Sequence, residues 1–206
     1  MKKILWLFAH PRPDRSEVNV ELAEVARTHD QVTFVDLYSE YPNFDINVDL
    51  EQKRLVEHDV IVFQHPLYWY STPSILKEWQ DLVLEHGFAY GSKGRALNGK
   101  LFFSVISAGA NRTTYSRKGG NEYEVRELYV PIERTWKLCG VEYLPPYVVY
   151  AAGHVGEDDR IEMHKQELSL LIHAIASRTL DFEKAKKAMN LSDDFQSLLS
   201  EKGGQA

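Results

Sequence analysis

The chain has 206 residues, 44% hydrophobic and 26% charged, proportions that exclude a disordered or collagen-like polymer and match one domain with at most an appendage. Its net charge of −6 argues against duplex nucleic acid as a partner, which needs a basic face. One cysteine, Cys139, excludes an intramolecular disulfide framework and a four-thiolate metal site, and suits a reducing compartment.

Residues 4–9 form a continuous apolar run, the pattern of a strand buried on both faces. The run is too short for the hydrophobic region of a signal peptide, and no apolar stretch approaches the roughly 20 residues that cross a bilayer. We therefore expect a soluble, cytoplasmic protein. Val18, Leu22, Val25 and Ala26 make the first helical stripe. Residues 32–37 are β-rich but mixed, as on an edge strand, and residues 60–63 are a second buried strand. Ile75, Leu76, Trp79, Leu82 and Val83 predict a helix with Thr72 as its N-cap and Pro73 at the first helical position. Residues 101–106 are again strand. Helical spacing over 125–138 is interrupted by Pro131, which predicts a kink or two pieces. Residues 148–151 complete five strands, preceded by Pro145 and Pro146, which cannot sit in a central ladder. Ile161, Leu168, Leu171, Ile172 and Ile175 predict a helix opening on Glu157, Asp158 and Asp159, where its dipole favours acids. Residues 181–200 read as an appended helical tail, restarted at Ser192-Asp193-Asp194. The expected division is a body over 1–178 and a helical tail over 179–206.

Strand and helix in alternation mean a parallel sheet with helices on both faces, joined by right-handed crossovers. A mixed second strand at the edge suits the doubly wound five-stranded order 2-1-3-4-5, with a switch point between strands 1 and 3. The competing six-stranded dinucleotide sheet needs a glycine-rich turn after strand 1, which is missing.

Ligands of such sheets bind beyond the carboxyl ends of the strands, and three unusual segments fall there. The first, residues 10–19, ends at a helix N-terminus, where free N–H groups favour a phosphate. Ser16 and Asn19 could add hydrogen bonds and His10 another; equally, Ser16 could cap its own helix and His10-Pro11 turn the chain. The second places Tyr68, Trp69 and Tyr70 together between prolines. It makes either a shelf for a flat heterocycle or a packing or dimer surface. The third, Ser107-Ala108-Gly109-Ala110, permits close backbone approach to a ring, with Tyr115 and Asn121 able to reach a substrate over it; it also reads as an ordinary loop. Scattered histidines with no paired spacing make a zinc site unexpected, and nucleophile-elbow and phosphate-loop motifs are absent. Cys139 reads as a buried structural thiol.

Together, the His10-Pro11-x-Pro13-x-x-Ser16-x-x-Asn19 opening, the loop at 65–73, Gly87-Phe88-Ala89-Tyr90-Gly91 and the segment 140–146 resemble flavodoxin-like NAD(P)H:quinone oxidoreductases. The nearest types are short bacterial members, the general-stress type and the ancillary quinone reductase of potassium-efflux systems. The resemblance spans residues 1–178 and leaves the tail uncovered. It implies a flavodoxin-like fold, a homodimer, and FMN in preference to FAD. In that reading His10, Ser16, Glu17, Val18 and Asn19 hold the phosphate region, while Leu67, Tyr68, Trp69, Tyr70, Ser107, Ala108, Gly109 and Ala110 line the ring. NAD(P)H and a quinone or similar aromatic acceptor then use one pocket in turn, in ping-pong fashion. Tyr115 matches a family tyrosine, but the histidine six residues on is here Asn121. An amide hydrogen-bonds without titrating near neutral pH, so no proton relay is expected through it. The resemblance also implies an alternative, a regulatory subunit making peripheral contact with a membrane transporter. A flavodoxin-type electron carrier fits less well, because carriers tend to be strongly acidic.

Overall fold

The computed structural model describes residues 1–157 and 160–199. Five positions form one parallel sheet: β1 (Ile4–Phe8), β2 (Val32–Asp36), β3 (Val60–Pro66), β4 (Leu101–Ser107) and, split in two, β5 (Glu142–Tyr143) and β6 (Tyr147–Val149). The order is β2-β1-β3-β4-β5, with β6 also on β4, so the flavodoxin-like order expected from the pattern is present. The fifth strand is longer and more broken than expected. Leu144 still donates its N–H to Phe102 C=O (2.9 Å), but Pro145 and Pro146 have no N–H to give, and pairing resumes only at Tyr147.

Central strands β1, β3 and β4 are buried along their whole length, whereas edge strand β2 is mostly half-exposed. Because side chains alternate, Leu5, Leu7, Ile61 and Phe63 join one core, and Ile4, Trp6, Val60 and Val62 the other. The first core receives α3 (Val48–Glu57), α4 (Ser74–Val83), α5 (Val125–Leu128) and α6 (Val130–Leu138); the second receives α1 (Glu17–Arg27) and α7 (Arg160–Ser177). An aromatic cluster anchors the first core: Phe102 stacks on Trp136 (4.3 Å) and meets Phe63 edge-on (4.9 Å).

Of three local readings, the one at Pro131 holds and the other two change. The helix after β3 begins at Ser74, with Pro73 in the N-cap position and no side-chain cap, because the proline ring holds Thr72 extended. Pro131 divides its segment into α5 and α6 and sits in the first turn of the second piece. Two helices went unread between β2 and β3: α2 (Leu37–Glu40), capped by Asp36, and α3, capped by Asn47. Of the acids expected to open α7, Asp158 and Asp159 lie outside the described residues, as do tail residues 200–206.

The tail packs against the body. After α7 come α8 (Phe182–Lys187), capped by Asp181, and a 3-10 turn at Phe195–Leu198. The restart expected at Ser192-Asp193-Asp194 is this 3-10 turn, with Asp194 in its N-cap position but giving no side-chain cap; Ser192 pairs with Val148 instead, accepting its N–H (3.2 Å) and donating to its C=O (2.9 Å). Leu180, Ala185, Leu191, Phe195 and Leu198 are buried in the second core. No described helix is long and apolar enough to cross a membrane.

Candidate functional site

Loops from the carboxyl ends of the strands enclose a cleft of about 400 Å³. His10, Arg15, Ser16, Glu17 and Val18 come from the loop after β1, Pro66, Leu67 and Tyr68 from β3, and Ser107 and Gly109 from β4; Ala152 and Gly153 follow β6. Arg15 and Pro66 fall within the two rim segments singled out in the sequence, whereas Ala152 and Gly153 were missed there. The rim rule that pointed to the other loops applies equally to the end of the last strand, where the small pair Ala152-Gly153 sits.

A buried chain of polar groups holds three of these loops in register. Trp6 Nε1–H donates to Gln64 Oε1 (2.8 Å), Gln64 Nε2–H to Asn19 C=O (2.7 Å), and Asn19 Nδ2–H to Ser107 Oγ (2.7 Å) and Ser16 Oγ (3.1 Å). Asn19 is 2% exposed and does not line the cleft. Ser16 accepts the Asn19 N–H (3.2 Å), so it caps α1 as well as lining the cleft. Among the described residues the N–H groups of Glu17 and Val18 have no partner, as the first turn of a helix requires. They are donors for an anion, beside the Arg15 side chain.

His10 lies at the entrance to this turn. The Arg12 N–H donates to His10 Nδ1 (3.1 Å), which places the proton of the neutral ring on Nε2 and makes that atom a donor. Burial holds its pKa below the ordinary range, against smaller opposing effects of Asp14 and Asp36.

The aromatic loop is a two-residue reversal: Tyr68 and Ser71 exchange both backbone hydrogen bonds (3.1 and 2.9 Å). Trp69 (φ 50°) and Tyr70 (φ 64°) both occupy the left-handed region, a turn that ordinarily selects Asn-Gly. Two bulky side chains there cost about 1–3 kcal/mol each. The strained turn leaves Trp69 92% and Tyr70 50% exposed, on the lip rather than within the cleft. Tyr70 O–H donates to Asn121 Oδ1 (3.1 Å), and the Asn121 amide acts on the Tyr115 hydroxyl in the direction that lowers its pKa. Burial, then the neighbouring Tyr70, raises the Tyr115 pKa, so its phenol stays protonated as a donor. The structure thus brings Tyr70, Tyr115 and Asn121 together at one side of the opening.

Ala108 is fully buried, and its N–H is committed to Val149 C=O (2.8 Å); Ala110 accepts from the Ala151 N–H (2.9 Å). The N–H groups of Gly109 and Ala110 have no partner among the described residues. A Cβ at Gly109 would meet nothing within 4 Å, so this backbone faces open space. Beneath the rim, fully buried His65 accepts or donates at Nε2 with Tyr129 Oη (2.9 Å), while its Nδ1 reaches Pro66 C=O (2.9 Å). Neutral His65 with a proton on Nδ1 satisfies both contacts, as donor to Pro66 and acceptor from Tyr129. Arg12 pairs with Asp14, Arg112 with Glu124 and Asp193, and Arg117 with Glu127, which leaves Arg15 as the cleft-lining arginine. Cys139 is buried, and burial pushes its thiol up to about 11, out of nucleophile range.

Residues 2–171 match the family model described as flavodoxin-like fold. General stress protein 14 of Bacillus subtilis (strain 168) is 47% identical over 157 residues, 76% of this chain and 90% of that protein. The glutathione-regulated potassium-efflux system ancillary protein KefG of Pectobacterium carotovorum is 46% identical over 156 residues, 76% of this chain and 85% of that one. Among solved structures, general stress protein 14 from Treponema denticola in complex with FMN superposes with a TM-score of 0.79 at 35% identity, covering 84% of this chain and 99% of that one. A thermophilic tryptophan halogenase from Streptomycin violaceusniger gives 0.76 at 45% identity, covering 81% and 98%. An NADPH-quinone reductase from P. pentosaceus gives 0.72 at 30% identity, covering 84% and 97%.

Proposed function

This chain belongs to the flavodoxin-like fold family, and from that premise we propose that it is an FMN-dependent NAD(P)H:quinone oxidoreductase. The observation that carries the reading is one cleft lined at two places, Glu17-Val18 and Gly109, by N–H donors without a partner among the described residues, with Tyr68 also in its lining. That donor set fits a phosphorylated planar ring. Glu17 and Val18 N–H, Ser16, His10 Nε2–H and Arg15 would hold the phosphate end. Leu67 and Tyr68 would flank the ring, and Gly109 and Ala110 N–H would meet its polar edge. FMN, when bound, supplies the hydride chemistry. FMN in a general stress protein 14 and the NADPH-quinone reductase among the neighbours support this choice.

The residues' own tasks follow from the geometry. Gly109 and Ala110 place fixed donors where negative charge would gather, which needs no reorganisation during reaction. Tyr115 keeps its proton and offers it to a substrate oxygen, its ring held against Tyr150 and its C=O by Arg112. Asn121 orients and does not carry a proton. Tyr70 and Trp69 make the lip against which a flat nicotinamide, and then a flat quinone, would lie, so one opening serves both substrates in turn. We place this activity in the cytoplasm, where reduced nicotinamide nucleotides are at hand, and in a homodimer.

Steady-state oxidation of NADH and of NADPH with a benzoquinone tests the proposal. FMN-loaded protein should turn over and give parallel double-reciprocal lines; no turnover with either nucleotide would overturn it. The 46% identity to KefG supports a second reading, an ancillary role at a potassium-efflux system, for which co-purification with such a transporter is the check.

A further inference from the structure

The family match stops at residue 171, and the T. denticola chain is covered almost whole while 16% of this one is left over. The tail lies beyond the family match, and its apolar side chains explain how it is anchored: Leu191, Phe195 and Leu198 are buried. They do not explain one group of its polar contacts, which meets at Asn190 and Asp193. Asn190 Nδ2–H donates to Tyr150 Oη (3.1 Å) and to Asp193 Oδ2 (3.0 Å), and Asp193 Oδ1 accepts from Arg112 Nε (3.4 Å).

Arg112 stands at the root of the loop that carries Tyr115 and Asn121. Its guanidinium lies over the Tyr150 ring (5.5 Å), donates to Tyr115 C=O (3.1 Å) and pairs with Glu124, the residue that opens α5. The Tyr115 and Tyr150 rings pack at 5.9 Å. Both ends of the loop are therefore joined to Arg112, and Arg112 and Tyr150 are joined to the tail.

We propose that Asn190 and Asp193 of the tail are positioning residues for the substrate side of the cleft, acting through Tyr150 and Arg112 on the loop that presents Tyr115 and Asn121. The inference rests on the reductase reading for its consequence, faster turnover of a well-placed acceptor, but not for its geometry. Among the described residues, no hydrogen bond or ion pair joins the phosphate end of the cleft, built on α1, to this strut. The tail would thus set acceptor handling without altering cofactor affinity.

Removing the tail outright would expose the second core, so point variants are the proper test. Amide exchange in the FMN-loaded protein gives the readout. Thr114 N–H on Asn111 C=O and Asn121 N–H on Thr114 C=O report the loop. In Asp193→Ala and Asn190→Ala these amides should exchange about tenfold faster, with FMN affinity unchanged and kcat/KM for the quinone reduced through KM. Asp193→Asn, which keeps an acceptor for Arg112, should restore most of the protection. Lys186→Ala, which breaks the tail's ion pair with Glu142, should leave the loop as it is. Unchanged loop exchange in both alanine variants would overturn the proposal. Faster exchange in a protein whose wild type turns over no quinone would keep the strut and remove the reductase reading.

Discussion

Asn19 is an amide on the first turns of α1, and its side chain ends on Ser107 at the tip of β4 rather than in the cleft. The residue types of the opening motif were legible as a ligand-binding set, and their division of labour was not. Sequence gives a helix N-terminus and polar side chains; only the folded arrangement shows that Asn19 holds the frame while Glu17 and Val18 leave their N–H groups free. His65 shows the same limit. In the motif it reads as one more rim histidine, yet it is sealed beneath the rim, and burial pushes it down to about 4 from an ordinary 6.5. Below pH 6.5 the unfolded chain takes up a proton at this residue that the folded chain refuses. Its contribution is therefore complete above pH 6.5 and is lost as the pH falls toward 4, about 3 kcal/mol in all. Urea melts of the wild type and His65→Gln across that window should show a steeper loss in the wild type; equal slopes would show that His65 is not held neutral.

Elements were legible where hydrophobic period or turn chemistry was strong, and illegible where polar caps did the work. The central strands are continuous apolar runs and stand where the sequence placed them. Helix α3 was missed because its only buried side chains are Leu55 and Glu51, too few for a stripe. Glu51 is buried because Tyr41 O–H (2.6 Å), Trp79 Nε1–H (2.9 Å) and Arg54 all donate to it, a satisfaction that no periodicity reveals. The tail reads as an appendage by sequence, yet its apolar residues fill the core between α7 and the sheet. Phe195→Ala should therefore cost about 3–5 kcal/mol, measured by denaturant melts. A loss below about 0.5 kcal/mol would mean that the tail adds nothing to the fold.

At the scale of the molecule, two cores on opposite faces of one sheet fix the strands, and the fixed strands leave their loops on a common rim. The Trp6–Gln64–Asn19–Ser107 chain then sets the spacing between the phosphate-ready turn of α1 and the open backbone at Gly109. This sheet order and rim were readable from alternating runs, because right-handed crossovers leave few alternatives. The strain at Trp69 and Tyr70 and the strut behind Tyr115 were not, since both depend on backbone angles and long-range contacts. The central claim is that this rim is a flavin site. Its most direct test is an equilibrium titration of FMN followed by quenching of flavin fluorescence, in the wild type and in Gly109→Leu. A Cβ at this position meets nothing within 4 Å, so stability should shift by no more than about 0.5 kcal/mol. The account predicts one FMN bound per wild-type chain and binding weakened at least about tenfold in the variant; FMN that fails to bind the wild type, or that binds Gly109→Leu equally well, would contradict it.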